Sequence, residues 1–156
     1  MSGAVRDLLA GHGFLAGFPA EAVDLLAERG EIYTFRPGTL LFREGGKADY
    51  VYLITKGHVA IEVHAPALGP IVVETIDAGH VVGLSWAAPP FRYQFDARAM
   101  DDVEAVGLDS EGLRASLAQY PVFGFLFLDR LAAVTLERLQ ATRVRLLDLY
   151  GKSDAR

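Results

Sequence analysis

Apolar positions along the chain change period twice. Val5, Leu8 and Leu9, and then Ala20, Val23, Leu25, Leu26 and Ala27, recur at the three- and four-residue steps of one helix face. Gly11, Gly13 and Gly17 separate the two stretches, Pro19 opens the second, and Gly30 closes it. Residues 1–31 are thus expected to form two short helices. From Ile32 the period drops to two. Segments 32–35, 39–42, 50–54, 58–64, 71–76, 81–82, 95–99 and 103–108 are short and rich in β-branched or aromatic residues. Turn signals divide them at Arg36-Pro-Gly, Glu44-Gly-Gly, Lys56-Gly, Pro66-Ala-Leu-Gly-Pro and Asp77-Ala-Gly. About eight strands at this spacing predict a small antiparallel sandwich or barrel over 32–109.

After Asp109-Ser110, either of which suits a helix cap, the helical period returns. It predicts a short helix over 111–119, a break at Pro121 and a long helix over 122–150 that stops at Gly151, leaving Lys152 to Arg156 disordered. Within the long helix Phe125, Leu128, Ala132, Thr135, Leu139, Thr142, Leu146 and Leu149 alternate steps of three and four, a heptad seam. Such a helix outreaches a domain of this size, so a homodimer through Leu128, Ala132, Thr135, Leu139, Thr142, Leu146 and Leu149 is expected.

Composition narrows the class. The 156 residues are 51% apolar, enough for one domain with its own core, and the absence of cysteine excludes a disulfide framework and thiolate metal sites. The N-terminus lacks the pattern of a signal peptide and no apolar run is long enough to span a bilayer, so a cytoplasmic protein without membrane contact is expected. The net charge of −5 argues against nucleic acid as a partner. It is unevenly spread, with +3 on residues 130–156 and −8 on the rest.

Four stretches carry a resemblance. They are Phe35-Arg-Pro-Gly-Thr-Leu-Leu-Phe-Arg-Glu-Gly-Gly, Asp49-Tyr-Val-Tyr-Leu-Ile-Thr-Lys-Gly-His-Val-Ala-Ile, Ile76-Asp-Ala-Gly-His-Val-Val-Gly with Ala97-Arg-Ala, and Glu137-Arg-Leu-Gln-Ala-Thr. With the element order around them, from about Phe14 to Tyr150, the chain resembles the cyclic nucleotide-binding domain of the catabolite activator/fumarate-nitrate regulator superfamily. The resemblance implies a mainly β fold with flanking helices: a double-stranded β-helix, or jelly roll, over 32–109 and C-terminal helices over 110–150. It also implies a stand-alone regulatory module, since the chain ends where the family's helix-turn-helix domain would begin.

The family's phosphate-binding cassette has a glycine followed by a glutamate for the ribose hydroxyl, and about nine residues later an arginine for the cyclic phosphate. Here the cassette opens Gly83-Leu84-Ser85-Trp86, and counting back from Ala97-Arg98-Ala99 puts Tyr93 at the arginine position. Both anchors are replaced. Leu84 offers no acceptor, and a ligand hydroxyl buried against it would cost about 1–3 kcal/mol. Arg92 reaches the phosphate position only through a one-residue slip, because neighbouring strand residues point to opposite faces. Ser85 is a phosphate donor or a helix cap. Trp86 either stacks on a ligand or fills the cavity that a nucleotide occupies elsewhere. Thr142 and Arg143 match the stretch of the long helix that reaches the bound base in family members; the alternatives are dimer packing and solvent. Arg130, Arg138, Arg143 and Arg145 are read as a solvated or partner-facing surface.

Three functions follow as expectations. The first is a non-catalytic sensor taking a small molecule other than cyclic AMP or cyclic GMP, or no ligand, with ordinary cyclic nucleotide binding through Arg92 as its variant. The second is a scaffold for an unidentified protein partner, its pocket filled by aromatic side chains. The third is a metal-dependent cupin-like enzyme, for which His12, His58, His64 and His80 lack ligand spacing, so that neither a metal nor another cofactor is expected. No nucleophile elbow, phosphate loop or dinucleotide fingerprint is present.

Overall fold

Val5 and Leu9 of one helix and Val23 and Leu26 of another turn inward and begin the core. In the computed structural model, which describes residues 2–154, these helices are α1 (Ser2–Ala10) and α2 (Ala20–Arg29), with a 3-10 turn at Gly13–Leu15 between them. Eight strands follow: β1 (Gly30–Phe35), β2 (Leu40–Phe42), β3 (Tyr50–Lys56), β4 (His58–Ala65), β5 (Gly69–Asp77), β6 (Val81–Val82), β7 (Asp96–Ala99) and β8 (Val103–Asp109). They form two four-stranded antiparallel sheets, ordered β1-β8-β3-β6 and β2-β7-β4-β5. This is the jelly roll, and the long-range pairing of β1 with β8 closes it. The chain ends in α3 (Ser110–Gln119), capped by the Asp109 carboxylate accepting from Gly112 N–H at 2.7 Å, and α4 (Pro121–Asp154).

One buried cluster runs from Leu9 and Leu26 through Val51, Leu53 and Val106 of the first sheet to Val59, Ile61 and Ala97 of the second, and on to Phe127 of α4. Phe127 meets Phe14 at 5.5 Å and Trp86 at 5.9 Å between ring centroids, both edge to face. The first turns of α4 are thus bound to the roll.

α4 departs from its expected end. Gly151 does not stop it, and helix continues through Lys152 to Asp154. A glycine inside a helix costs about 1 kcal/mol relative to alanine but removes no hydrogen bond, so it weakens a helix without ending it. The expected disorder of the last two residues lies outside the described ones. At 34 residues the helix is about 51 Å long, and every residue from Leu139 to Lys152 is exposed in the single chain.

His12 is a structural histidine. Its Nε2–H donates to the Ile54 carbonyl at 2.8 Å, while Nδ1 accepts from Phe14 N–H at 3.2 Å, fixing the neutral ring. Burial, the largest influence, holds its pKa below the ordinary 6.5. A depressed histidine contributes stability that is full above the unfolded value of about 6.5 and is lost as the pH falls through the folded one. The urea midpoint is therefore expected to drop between pH 7.5 and pH 5.5, and to drop less in His12→Gln. The exposed His58–Asp101 pair, 2.7 Å apart, raises the His58 pKa and opposes this trend weakly. An equal midpoint at both pH values would contradict the assignment.

Candidate functional site

The turn after β6 builds one wall of a cleft. Gly83 stands at φ +93, where a Cβ would come within 2.9 Å of the Tyr50 carbonyl, so a side chain there would be strained and crowded. The chain then enters a 3-10 turn, Leu84–Ala87, whose first two residues face α4 across a space of about 410 Å³. Ile61 of β4, Glu74 of β5 and Val82 of β6 form the roll side of this cleft, with Phe95 just before β7. Thr135, Arg138, Leu139 and Thr142 form the α4 side.

The walls are mostly apolar, with few polar groups. Arg138 is the single cation of the lining and Glu74 the single carboxylate, with Arg138 Nε 3.7 Å from Glu74 Oε1. The guanidinium also donates from Nη2 to the Val81 carbonyl. Burial lowers the Arg138 pKa, with Glu74 and Glu137 opposing, and the group remains a cation. Thr135 and Thr142 donate their hydroxyl protons to the carbonyls one turn back, Leu131 and Arg138, each at 2.8 Å. Toward the cleft they therefore offer lone pairs only.

Of the sequence-derived candidates, Gly83, Leu84, Ser85 and Thr142 line this space. The others do not. Trp86 is 1% exposed in the core against Phe127, and its Nε1 is a buried donor without a partner. Arg92 stays on the far side of the cassette, bridged to Lys47, with its guanidinium donating to the Gly45 carbonyl at 2.9 Å. Tyr93 is buried with its ring stacked 3.8 Å from Phe42. Its hydroxyl donates to the Tyr50 carbonyl at 2.7 Å and accepts from Tyr50 N–H at 3.1 Å, so it serves the fold of β3. Arg143 is exposed, outside the lining.

The basic residues of α4 correct the sequence reading in part. Arg130 donates to the carbonyls of Phe14 and Ala16 at 2.7 and 2.6 Å, and Arg145 to that of Val73 at 2.6 Å. Arg130 and Arg138 are half-buried, the first tying α4 to the turn after α1 and the second to β6, because their long stems pack while their charged ends find carbonyls. Arg143 and Arg145 are exposed, as the sequence suggests. Ile61, Glu74, Val82, Phe95, Thr135, Arg138 and Leu139 are the cleft residues absent from the sequence-derived ligand set. The histidines stay apart: His58, His64 and His80 each meet one aspartate, and among the described residues no three potential ligands gather at one point. Among the same residues no helix is long and apolar enough to cross a membrane.

The model of the cyclic nucleotide-binding domain family matches residues 33–120, which include the cassette. A CRP-like cAMP-activated global transcriptional regulator of Mycobacterium tuberculosis is 27% identical over 143 residues, covering 92% of this chain and 62% of that protein. The chain thus spans less than two thirds of the length of that curated relative. Among solved structures, a cyclic nucleotide-binding domain from Methylobacillus flagellatus aligns over 94% of this chain and 82% of its own, with TM-score 0.79 and 22% identity. The regulatory subunit of a cAMP-independent protein kinase A from Trypanosoma cruzi, bound to guanosine, aligns over 80% of this chain and 44% of its own, with TM-score 0.68 and 22% identity. These two likenesses are of fold. The matched family model covers more than half of the sequence, and the chain belongs to the cyclic nucleotide-binding domain family.

Proposed function

We propose that the chain is a non-catalytic regulatory module whose cleft takes a small molecule other than cyclic AMP or cyclic GMP. The observation that carries this is an open cleft of about 410 Å³ bordered by the cassette in which both cyclic-nucleotide anchors are gone. Leu84 stands where a carboxylate would accept from ribose, Tyr93 is committed to Tyr50, and Arg92 is committed to Gly45. What remains for a ligand is an apolar wall with Arg138, Glu74 and hydroxyl lone pairs. Because Thr135, Leu139 and Thr142 belong both to the cleft and to the seam, a ligand that favours one placement of α4 shifts the pairing of two copies. A soluble homodimer in the cytoplasm is part of this reading, as is the absence of nucleic-acid contact by these residues. The scaffold for a protein partner stays as the second reading, supported by Trp86 buried against Phe127, while the open cleft beside it favours a ligand.

A thermal-shift screen of uncharged and anionic metabolites tests the proposal. At least one compound is expected to raise the melting temperature, and Thr142→Leu, which adds apolar bulk to the cleft wall, is expected to remove the shift while leaving the unliganded melt near that of wild type. Stabilisation by cyclic AMP or cyclic GMP alone would contradict it.

A further inference from the structure

Beyond Pro90 the chain turns at Phe91, which stands at φ +57, a left-handed conformation that a bulky side chain rarely takes. Two backbone hydrogen bonds hold it there. Its N–H donates to the Ala88 carbonyl at 3.0 Å and its carbonyl accepts from Ala48 N–H at 2.8 Å. Strain of this kind tends to persist where a site needs it. Phe91 borders a cavity of about 400 Å³ that shares no residue with the α4 cleft. Its other walls are the segment 47–50 and the start of α3. Ser110, 2% exposed, ties the two together: its Oγ donates to the Ala48 carbonyl at 2.6 Å and its N–H to the Asp49 carbonyl at 2.7 Å.

Arg114 enters this cavity half-buried from the second turn of α3. Its guanidinium carbon lies 4.3 Å from the centre of the Phe91 ring, a contact that engages one face of the group and none of its N–H donors. Among the described residues no acceptor or carboxylate meets those donors. Glu111, one turn earlier, has no partner among the same residues, although side chains three apart on a helix begin only about 5–6 Å from one another. The other charges of the lining are engaged, Asp49 with Lys47 at 3.8 Å and Asp109 with Gly112 N–H at 2.7 Å. One unpaired cation and one unpaired carboxylate thus stand side by side near the rings of Phe91 and Tyr50. A simple anion would meet the carboxylates of Asp49, Asp109 and Glu111, and a simple cation would meet Arg114. A ligand bearing both charges on one carbon satisfies both groups.

We propose that this cavity is a second ligand site, for a free α-amino acid with an apolar side chain. Arg114 donates to the carboxylate, Glu111 accepts from the ammonium, and the side chain lies against Phe91 and Tyr50. The volume is within the range of small-molecule sites, roughly 300–1,000 Å³. Because the site uses α3 and not α4, it stands or falls independently of the cleft's ligand.

Isothermal titration of the full chain tests this with three compounds that share a phenyl body. L-phenylalanine carries both charges, phenylpropionate only the carboxylate and phenylethylamine only the ammonium. Phenylalanine is expected to bind at least about tenfold more tightly than either, since each of the others forfeits one charge-assisted contact. Arg114→Gln is expected to remove the advantage over phenylethylamine, and Glu111→Gln the advantage over phenylpropionate. Neither side chain belongs to the core, so circular dichroism is expected to report an unchanged fold. Thr142→Leu, which alters the α4 cleft, is expected to leave phenylalanine binding as in wild type. Absence of phenylalanine binding at millimolar concentration would overturn the proposal, as would equal affinity for the three compounds or an Arg114→Gln chain that keeps the preference. Loss of phenylalanine binding in Thr142→Leu would also overturn it, by placing that ligand in the cleft.

Discussion

Trp86→Ala is expected to lower the free energy of unfolding by about 3–5 kcal/mol, the range for emptying an aromatic site in a packed core. Trp86 is 1% exposed and edge to face with Phe127, so it joins the 3-10 turn of the cassette to the roll-bound start of α4. Truncation leaves a void between the two elements that the fixed roll cannot close. Trp86→Phe is expected to cost much less, because the lost indole N–H is a donor that has no partner among the described residues. Guanidinium denaturation of the three proteins measures both differences. A Trp86→Ala protein as stable as wild type would show that the ring is not part of the core.

Leu139→Asp is expected to raise the dimer dissociation constant at least about a hundredfold, since burying an unpaired carboxylate in an apolar seam costs several kcal/mol and each 1.4 kcal/mol is a factor of ten. The folded single chain should tolerate the change, because Leu139 is 44% exposed there. Circular dichroism is therefore expected to report an unchanged fold while sedimentation reports a monomer at concentrations where wild type pairs. The seam positions Phe125, Leu128, Ala132, Thr135, Leu139, Thr142, Leu146 and Leu149 are all exposed in the single chain, as an unmet interface requires. A wild type that is monomeric at micromolar concentration would contradict the seam.

The elements were legible because their periods are strong. Val51 and Leu53 face one side of β3 and Tyr50 and Tyr52 the other, and every one of the eight expected strands is present with its ends shifted by no more than three residues. The order of strands was not readable from alternation, since β1 and β8 pair across about seventy residues of chain; the resemblance implied the jelly roll and the structure shows the pairing.

The cleft was half legible. Gly83, Leu84, Ser85 and Thr142 come from the cassette and the seam, both marked by local patterns. Arg138 and Glu74 were missed because a charged residue on a helix or a strand edge reads as solvent-facing. Their place depends on α4 lying across β5, which no local pattern encodes. Trp86 lies in a 3-10 turn with no useful period, so its direction could not be read. Arg92 and Tyr93 differ by one residue, and neither lines the cleft: the Tyr93 hydroxyl holds β3 and the Arg92 guanidinium holds the Gly45 turn.

The central claim is that the cleft has lost the ordinary cyclic nucleotide mode while remaining open to another ligand. Calorimetric titration of the wild-type chain with cyclic AMP and cyclic GMP tests it most directly. The account predicts no binding heat from either nucleotide at micromolar concentration, and no difference between wild type and Arg92→Ala. Micromolar binding of either nucleotide, abolished by Arg92→Ala, would contradict it.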